Sequence, residues 1–148
     1  MPTFSDLWAK HPYPGNPCDT TAFPNQCAIR MTVALHDAGI KTHLLRAVRC
    51  WHGHKTPQHI LRAQEFANAL AVSPHLLGPG VKVAKLKGSV NSNLKEFTGK
   101  KGVVFIRNGW DETDHIDLWD GTMQQMRGSS DTRDYMARGD QVWFWKML

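Results

Sequence analysis

Long apolar runs are missing from this 148-residue chain: no stretch approaches the ~20 residues that would cross a bilayer. A basic start followed by an apolar core is missing from Met1–Lys10, which excludes a Sec-type signal peptide. The expectation is a protein made in the cytoplasm that inserts in no membrane. Internal repeats, low-complexity tracts and linkers are missing too, so one domain over residues 1–148 is expected. Cysteine is sparse, with only Cys18, Cys27 and Cys50. An odd count allows either one pair plus one thiol or three reduced thiols. No charge of one sign dominates: 18 Lys and Arg against 13 Asp and Glu give +5. The basic residues are scattered and no nucleic-acid-binding motif accompanies them, so nucleic acid is not the expected partner. The excess still favours an anionic partner such as an acidic polymer. With 41% hydrophobic and 21% charged residues, the composition is that of a globular protein.

What is present centres on Phe23-Pro24-Asn25-Gln26-Cys27-Ala28-Ile29-Arg30-Met31. Pro24 and Asn25 suit the approach to a helix. Ala28, Met31, Leu35 and Ala38 then recur at helical spacing, and Gly39 is a natural stop, which predicts a helix over 27–38. Cys27 falls in its first turn, where unpaired N–H groups and the helix dipole favour a thiolate. Such a cysteine can serve as a nucleophile; a small buried hydrophobe is the other reading of the same residue.

Around this stretch, Phe4, Leu7 and Trp8 predict a short docking helix. Three prolines and a glycine over 11–17 forbid regular structure and suit a wall beside a cleft. Residues 50–54 read as a turn. Thr56 followed by Pro57 reads as a helix start, predicting a helix over 57–71 with Ile60, Ala63, Ala67 and Leu70 on one face. A short extended piece over 81–86 and a short helix over 92–97 ending at Gly99 follow. The β-branched and aromatic runs at 103–106, 116–119 and 142–145 predict strands, with turns at Asn108-Gly109 and Asp120-Gly121. Helices first and an antiparallel sheet later make an α+β domain.

Asp114-His115-Ile116-Asp117-Leu118-Trp119-Asp120-Gly121 is the second stretch with chemistry. Alternation puts His115, Asp117 and Trp119 on one face and Ile116 and Leu118 on the other. Burial of the Ile116/Leu118 side against the Cys27 helix leaves His115 on the other face or at the strand's beginning, turned toward a helix end. A thiol amide hydrolase needs a thiolate, an imidazole that later protonates the leaving amine, a polar group that orients the imidazole, and donors for the oxyanion. The Cys27 N–H is a candidate for the last role.

FPNQCAIRM, CWHGHKTPQHILRAQEFANAL, GVVFIRNGW, DHIDLWDG and the terminal QVWFW together resemble the fourth family of type VI secretion amidase effectors. The resemblance runs from about His11 to Trp145 and implies a papain-like, NlpC/P60-like fold with the nucleophile helix packed on an antiparallel sheet. It implies a secreted toxin that acts in the periplasm of rival Gram-negative bacteria. There it would cut the peptidoglycan stem peptide between D-glutamate and meso-diaminopimelate, without a cofactor. The type VI secretion machinery and an immunity protein that blocks the active site are the implied partners. Carried over, Cys27 matches the family's nucleophile and His115 its histidine. The third member is an aspartate among Asp117, Asp120, Asp131 and Asp134, with Asp131 expected because it leads toward the last strand. An oxidising destination also allows a Cys18–Cys50 disulfide.

Two rival readings rest on other residues. Cys50, His52, His54 and His59 are metal-ligand types, but their spacing matches no common zinc pattern, so no metal is expected. Six tryptophans would suit a non-enzymatic wall-binding module if they faced solvent, whereas aromatics on strands more often pack in a core.

Overall fold

The computed structural model describes residues 2–50, 58–110 and 113–147. Helix α1 (Phe4–Lys10) starts from a capping box in which Asp6 N–H donates to Thr3 Oγ1 at 3.2 Å and Thr3 N–H to Asp6 Oδ2 at 2.8 Å. It buries Phe4 and Leu7. Residues 11–17 carry neither helix nor strand. They are held instead by Arg127, whose guanidinium donates to the carbonyls of Trp8, His11 and Tyr13 at 3.1, 3.0 and 3.1 Å.

Helix α2 (Cys27–Asp37) follows as the periodicity predicts, with Ala28, Met31 and Leu35 buried and Gly39 at φ +96° just beyond its end. Asn25 Oδ1 accepts from the Cys27 N–H at 3.2 Å, so the side chain two residues upstream satisfies the first exposed donor. Helix α3 (Ala63–Val72) begins later than the expected 57–71. Thr56 and Pro57 lie outside the described residues, and Gln58 to Arg62 are not helical. Tertiary partners override the local start signal: Ile60 N–H donates to Thr32 Oγ1 of α2 at 3.0 Å, and Arg49 and Ile60 form an isolated antiparallel bridge. Of the expected turn at 50–54, only Cys50 lies within the described residues.

Among the described residues, five antiparallel strands form one sheet: β1 (Val83–Lys87), β2 (Lys101–Trp110), β3 (Thr113–Asp120), β4 (Gln125–Met126) and β5 (Gln141–Met147), in the order β1-β5-β2-β3-β4. Two short helices, α4 (Leu94–Phe97) and α5 (Thr132–Ala137), lie between strands. Asn108-Gly109 is not the turn expected. It falls inside β2, where the register with β3 shifts between Ile106 and Trp110. Asn108 adopts φ +53° with its N–H donating to Asp114 Oδ1 at 2.8 Å.

Both sheet faces are covered. Val103, Phe105, Ile116, Leu118, Trp143 and Trp145 pack on α1, α2 and α3. Val104, Ile106, Trp119, Val142 and Phe144 pack with Phe97, Met126 and Met136. Trp119, Trp143 and Trp145 are therefore core residues rather than a wet aromatic face.

Candidate active site

Helix α2 and strand β3 meet end to side, and the contact is where the two stretches singled out from the sequence come together. Cys27, the first residue of α2, is buried, with its Sγ 3.9 Å from the Asp114 carbonyl oxygen at the beginning of β3. The same thiol lies near enough to the His115 imidazole to favour its protonated form. On the other side of the ring, His115 Nε2 lies 2.8 Å from Asp117 Oδ2. A carboxylate only accepts, so Nε2 carries the proton and Nδ1 is the nitrogen left for the thiol. Tyr135 of α5 packs edge-on against the imidazole at 4.4 Å between ring centroids, and Trp110 at 5.9 Å.

Burial is the largest influence on His115 and works against its charge. Hydrogen bonds with Asp117 and Cys27, and the charges of both, outweigh it and hold the imidazole up at about 9. Asp117 is itself fully buried. Its Oδ1 accepts the Leu118 and Gly128 N–H groups, each at 2.8 Å, and the Gly128 N–H also reaches Oδ2 at 3.0 Å. A Cβ at Gly128 would come within 3.1 Å of both carboxylate oxygens, so glycine lets the backbone approach this closely. His11 completes the enclosure with Nε2 3.7 Å from Asp117 Oδ1. Its Nδ1 accepts the Tyr13 N–H at 3.2 Å, which fixes the neutral ring with its proton on the Asp117 side. Burial pushes His11 down to about 4, and the nearby Asp117 offsets this only in part.

Of the expected residues, Cys27 and His115 are brought together and Asp131 is not. Asp131 caps α5, its Oδ1 accepting the Asp134 N–H at 3.2 Å. Asp120 closes the turn after β3 by accepting from Thr122 and Met123, and Asp134 pairs with Arg138. The aspartate on the imidazole is Asp117. Residues i and i+2 on one strand face lie about 7 Å apart, a gap that an imidazole and a carboxylate close between them. His11, Gly128 and Tyr135 were not legible from the sequence. Only the position of His11 at the head of the proline-rich segment singled it out. The Cys27 N–H, the candidate oxyanion donor, is engaged by Asn25 Oδ1 in this state.

A groove of about 460 Å³ is lined by Trp8, Tyr13, Met123, Gln125, Arg127 and Ser129, and Cys27, His115 and Asp117 are not among its lining residues. The expected Cys18–Cys50 disulfide is not formed: both are thiols, their sulfurs within 4.8 Å but not at bonding distance. Of the metal-ligand types noted around residue 50, His52 and His54 lie outside the described residues.

A thiol at a helix start, an imidazole on an antiparallel sheet and a buried carboxylate behind it define a papain-like, NlpC/P60-like hydrolase arrangement on an α+β fold. The comparisons narrow the class. The sequence profile of the family described as "Type VI secretion system (T6SS), amidase effector protein 4" (Tae4) matches residues 23–145, and the chain belongs to that family. No curated protein sequence matches the chain. Among solved structures, the Tae4/Tai4 effector–immunity system of Salmonella typhimurium is similar with a TM-score of 0.68 at 20% identity, covering 100% of this chain and 99% of that one. Tae4 of Enterobacter cloacae is similar at 0.65 and 20%, covering 100% and 98%. The Tae4–Tai4 complex of Enterobacter cloacae follows at 0.59 and 20%, covering 100% and 99%.

Proposed function

We propose that this chain, as one amidase domain over residues 1–148, cuts the D-glutamyl–meso-diaminopimelate bond of the peptidoglycan stem peptide with Cys27 as nucleophile. The observation that carries the reading is the Cys27–His115–Asp117 contact between α2 and β3. In this reaction His115 rests as the imidazolium, Nδ1 holding the proton given up by Cys27, and the sulfur attacks the amide carbonyl. The imidazolium then gives its proton to the leaving amine as the C–N bond breaks, leaving a thioester. Water attacks the thioester with His115 as base, the C–S bond breaks, and the thiol and a product carboxylate are released. Asp117 keeps Nε2 protonated and the ring aimed at the sulfur throughout. The Cys27 N–H stabilises the oxyanion once substrate takes the place of Asn25 Oδ1. Asp117 replaces Asp131 as the third member in this proposal.

The groove between α1 and the Met123–Ser129 stretch suits an extended stem peptide, with Trp8 of α1 and Tyr13 of the proline-rich segment on its lining. The similar Salmonella and Enterobacter proteins are described with an immunity partner, Tai4. By extension, an immunity protein that covers this groove protects the producing cell, and the type VI machinery delivers the chain to the periplasm of its target. Digestion of purified sacculi tests the reading. The wild-type chain should release fragments ending in D-glutamate and beginning with diaminopimelate, as read by mass analysis, and Cys27→Ala should release none. Equal digestion by both would overturn Cys27 as nucleophile, and different fragment ends would overturn the bond.

A further inference from the structure

A second cluster of reactive side chains takes no part in the amide chemistry. Cys18 comes from the loop between α1 and α2, and Cys50 and His59 from the two segments that meet before α3. All three are buried. One donor atom from each lies within 4.8 Å of the other two, and Cys50 Sγ is 3.5 Å from His59 Nδ1. In tetrahedral zinc, with Zn–S about 2.3 Å and Zn–N about 2.0–2.1 Å, neighbouring donors sit about 3.6–3.8 Å apart. One edge is thus already near its length, and the others need to close by about 1.2 Å at most to reach that spacing.

The surroundings suit such an ion. Ile29 of α2 packs on both cysteines, with Phe23 and Leu61 beside them, so the wall is apolar and the donors are soft. The His59 N–H donates to Cys50 Sγ at 3.3 Å, and the Asp19 N–H faces the Cys18 sulfur. Hydrogen bonds of this kind stabilise the negative charge of a metal-bound thiolate. The backbone holds two of the ligands in place: Cys50 N–H donates to the His59 carbonyl at 2.9 Å, fixing them opposite one another.

We propose that Cys18, Cys50 and His59 form a zinc-binding site, with water in the fourth position. The site would tie the α1–α2 loop to the segment before α3. Cys18 N–H donates to Gln26 Oε1 at 3.4 Å, so the tie would reach the residue preceding Cys27. Sequence spacing alone does not give this set, because Cys18 stands far from the other two in the chain.

The test is metal analysis of the full chain, isolated under reducing conditions, followed by Co²⁺ titration of metal-free protein. About one equivalent of Zn²⁺ should bind, and Co²⁺ should give a thiolate-to-metal charge-transfer band. Cys27→Ala should keep the band, which excludes the nucleophile thiol as its source. Cys18→Ser and His59→Gln should each lose or strongly weaken it, with circular dichroism confirming that the variants fold. Zn²⁺ should raise the melting temperature of the wild-type chain and not of Cys18→Ser. Absence of both bound Zn²⁺ and the band would overturn the proposal. So would a band lost in Cys27→Ala and kept in Cys18→Ser, or a metal-free wild-type protein in which only one thiol titrates because Cys18 and Cys50 have joined.

Discussion

The carboxylate of Asp117 is the most constrained charged group in the molecule's active region, taking two main-chain N–H groups and the His115 ring at 2.8 Å each. Asp117→Asn should therefore lower turnover by about 100-fold or more, since a carboxamide can present N–H to the ring and misdirect its tautomer. Asp131→Ala should leave turnover near wild type and cost about 1 kcal/mol through the lost cap, read by thermal unfolding beside the rate. The reverse pattern would restore Asp131 as the third member. His115 and His11 predict how stability responds to pH. His115 is held up at about 9 against an ordinary 6.5, so its contribution is complete below pH 6.5 and is lost as pH rises through about 9. On the proposed mechanism, turnover should fall through the same upper window as the imidazolium that would protonate the leaving amine disappears. His11, faced by Asp117, Arg127, Arg30 and His115, is pushed down to about 4. The unfolded chain therefore takes up that proton first, and stability is lost as pH falls from 6.5 through about 4. His11→Gln should flatten this acid limb of melting temperature against pH while sparing the alkaline limb; an unchanged acid limb would mean that His11 titrates normally. Cys27 and His115 were legible because a helix start and a strand each carry a local pattern. Asp117 stood among four candidate aspartates with no local pattern to single it out, and His11 depends on Arg127 gathering three carbonyls of a segment remote in sequence.

At the scale of elements, strong local periodicity survived and local start signals did not always. Helix α2 and the cores of β2, β3 and β5 stand where their apolar patterns put them, because nothing remote competes for those backbones. The stretch before α3 reads as helix from its own sequence. However, Thr32, Cys50 and Arg49 claim the backbones of Ile60, His59 and their neighbours first. Asn108-Gly109 has the residues of a hairpin turn, yet the anchors Asp114 and Asp140 convert it into an irregularity within β2. Alternation along β3 separated the His115/Asp117/Trp119 face from the Ile116/Leu118 face but left what covers the former open; a second apolar layer of Phe97, Met126 and Met136 buries it at Trp119. Gly102 tests the central pairing. It sits opposite Trp119 on one side and Lys146 on the other, and an added Cβ would fall 1.9 Å from the Trp145 carbonyl oxygen. Gly102→Ala should thus force β2 and β5 apart and cost about 1–3 kcal/mol, measured as a lower urea midpoint at unchanged slope. Unchanged stability would contradict the β2–β5 register.

The whole molecule joins a buried thiol–imidazole–carboxylate site to a surface with modest positive charge, and among the described residues no helix is long and apolar enough to cross a membrane. Nothing in that combination selects an intracellular target. The net charge of +5 does favour approach to an anionic wall polymer. Membership of the amidase effector family places its point of action in another cell. These features make location the test of target. Expressed in a Gram-negative host, the chain should be tolerated in the cytoplasm, where there is no assembled wall to cut. Fused to an export signal, it should cause lysis within the periplasm, with rounding of cells before loss of turbidity. The exported Cys27→Ala chain should be harmless at equal abundance, since only the proposed nucleophile is missing and the surface is unchanged. Toxicity of the exported variant would instead point to damage by binding alone. Equal toxicity of the wild-type chain in both compartments would point to a target inside the cell, against which the wall reading offers no account.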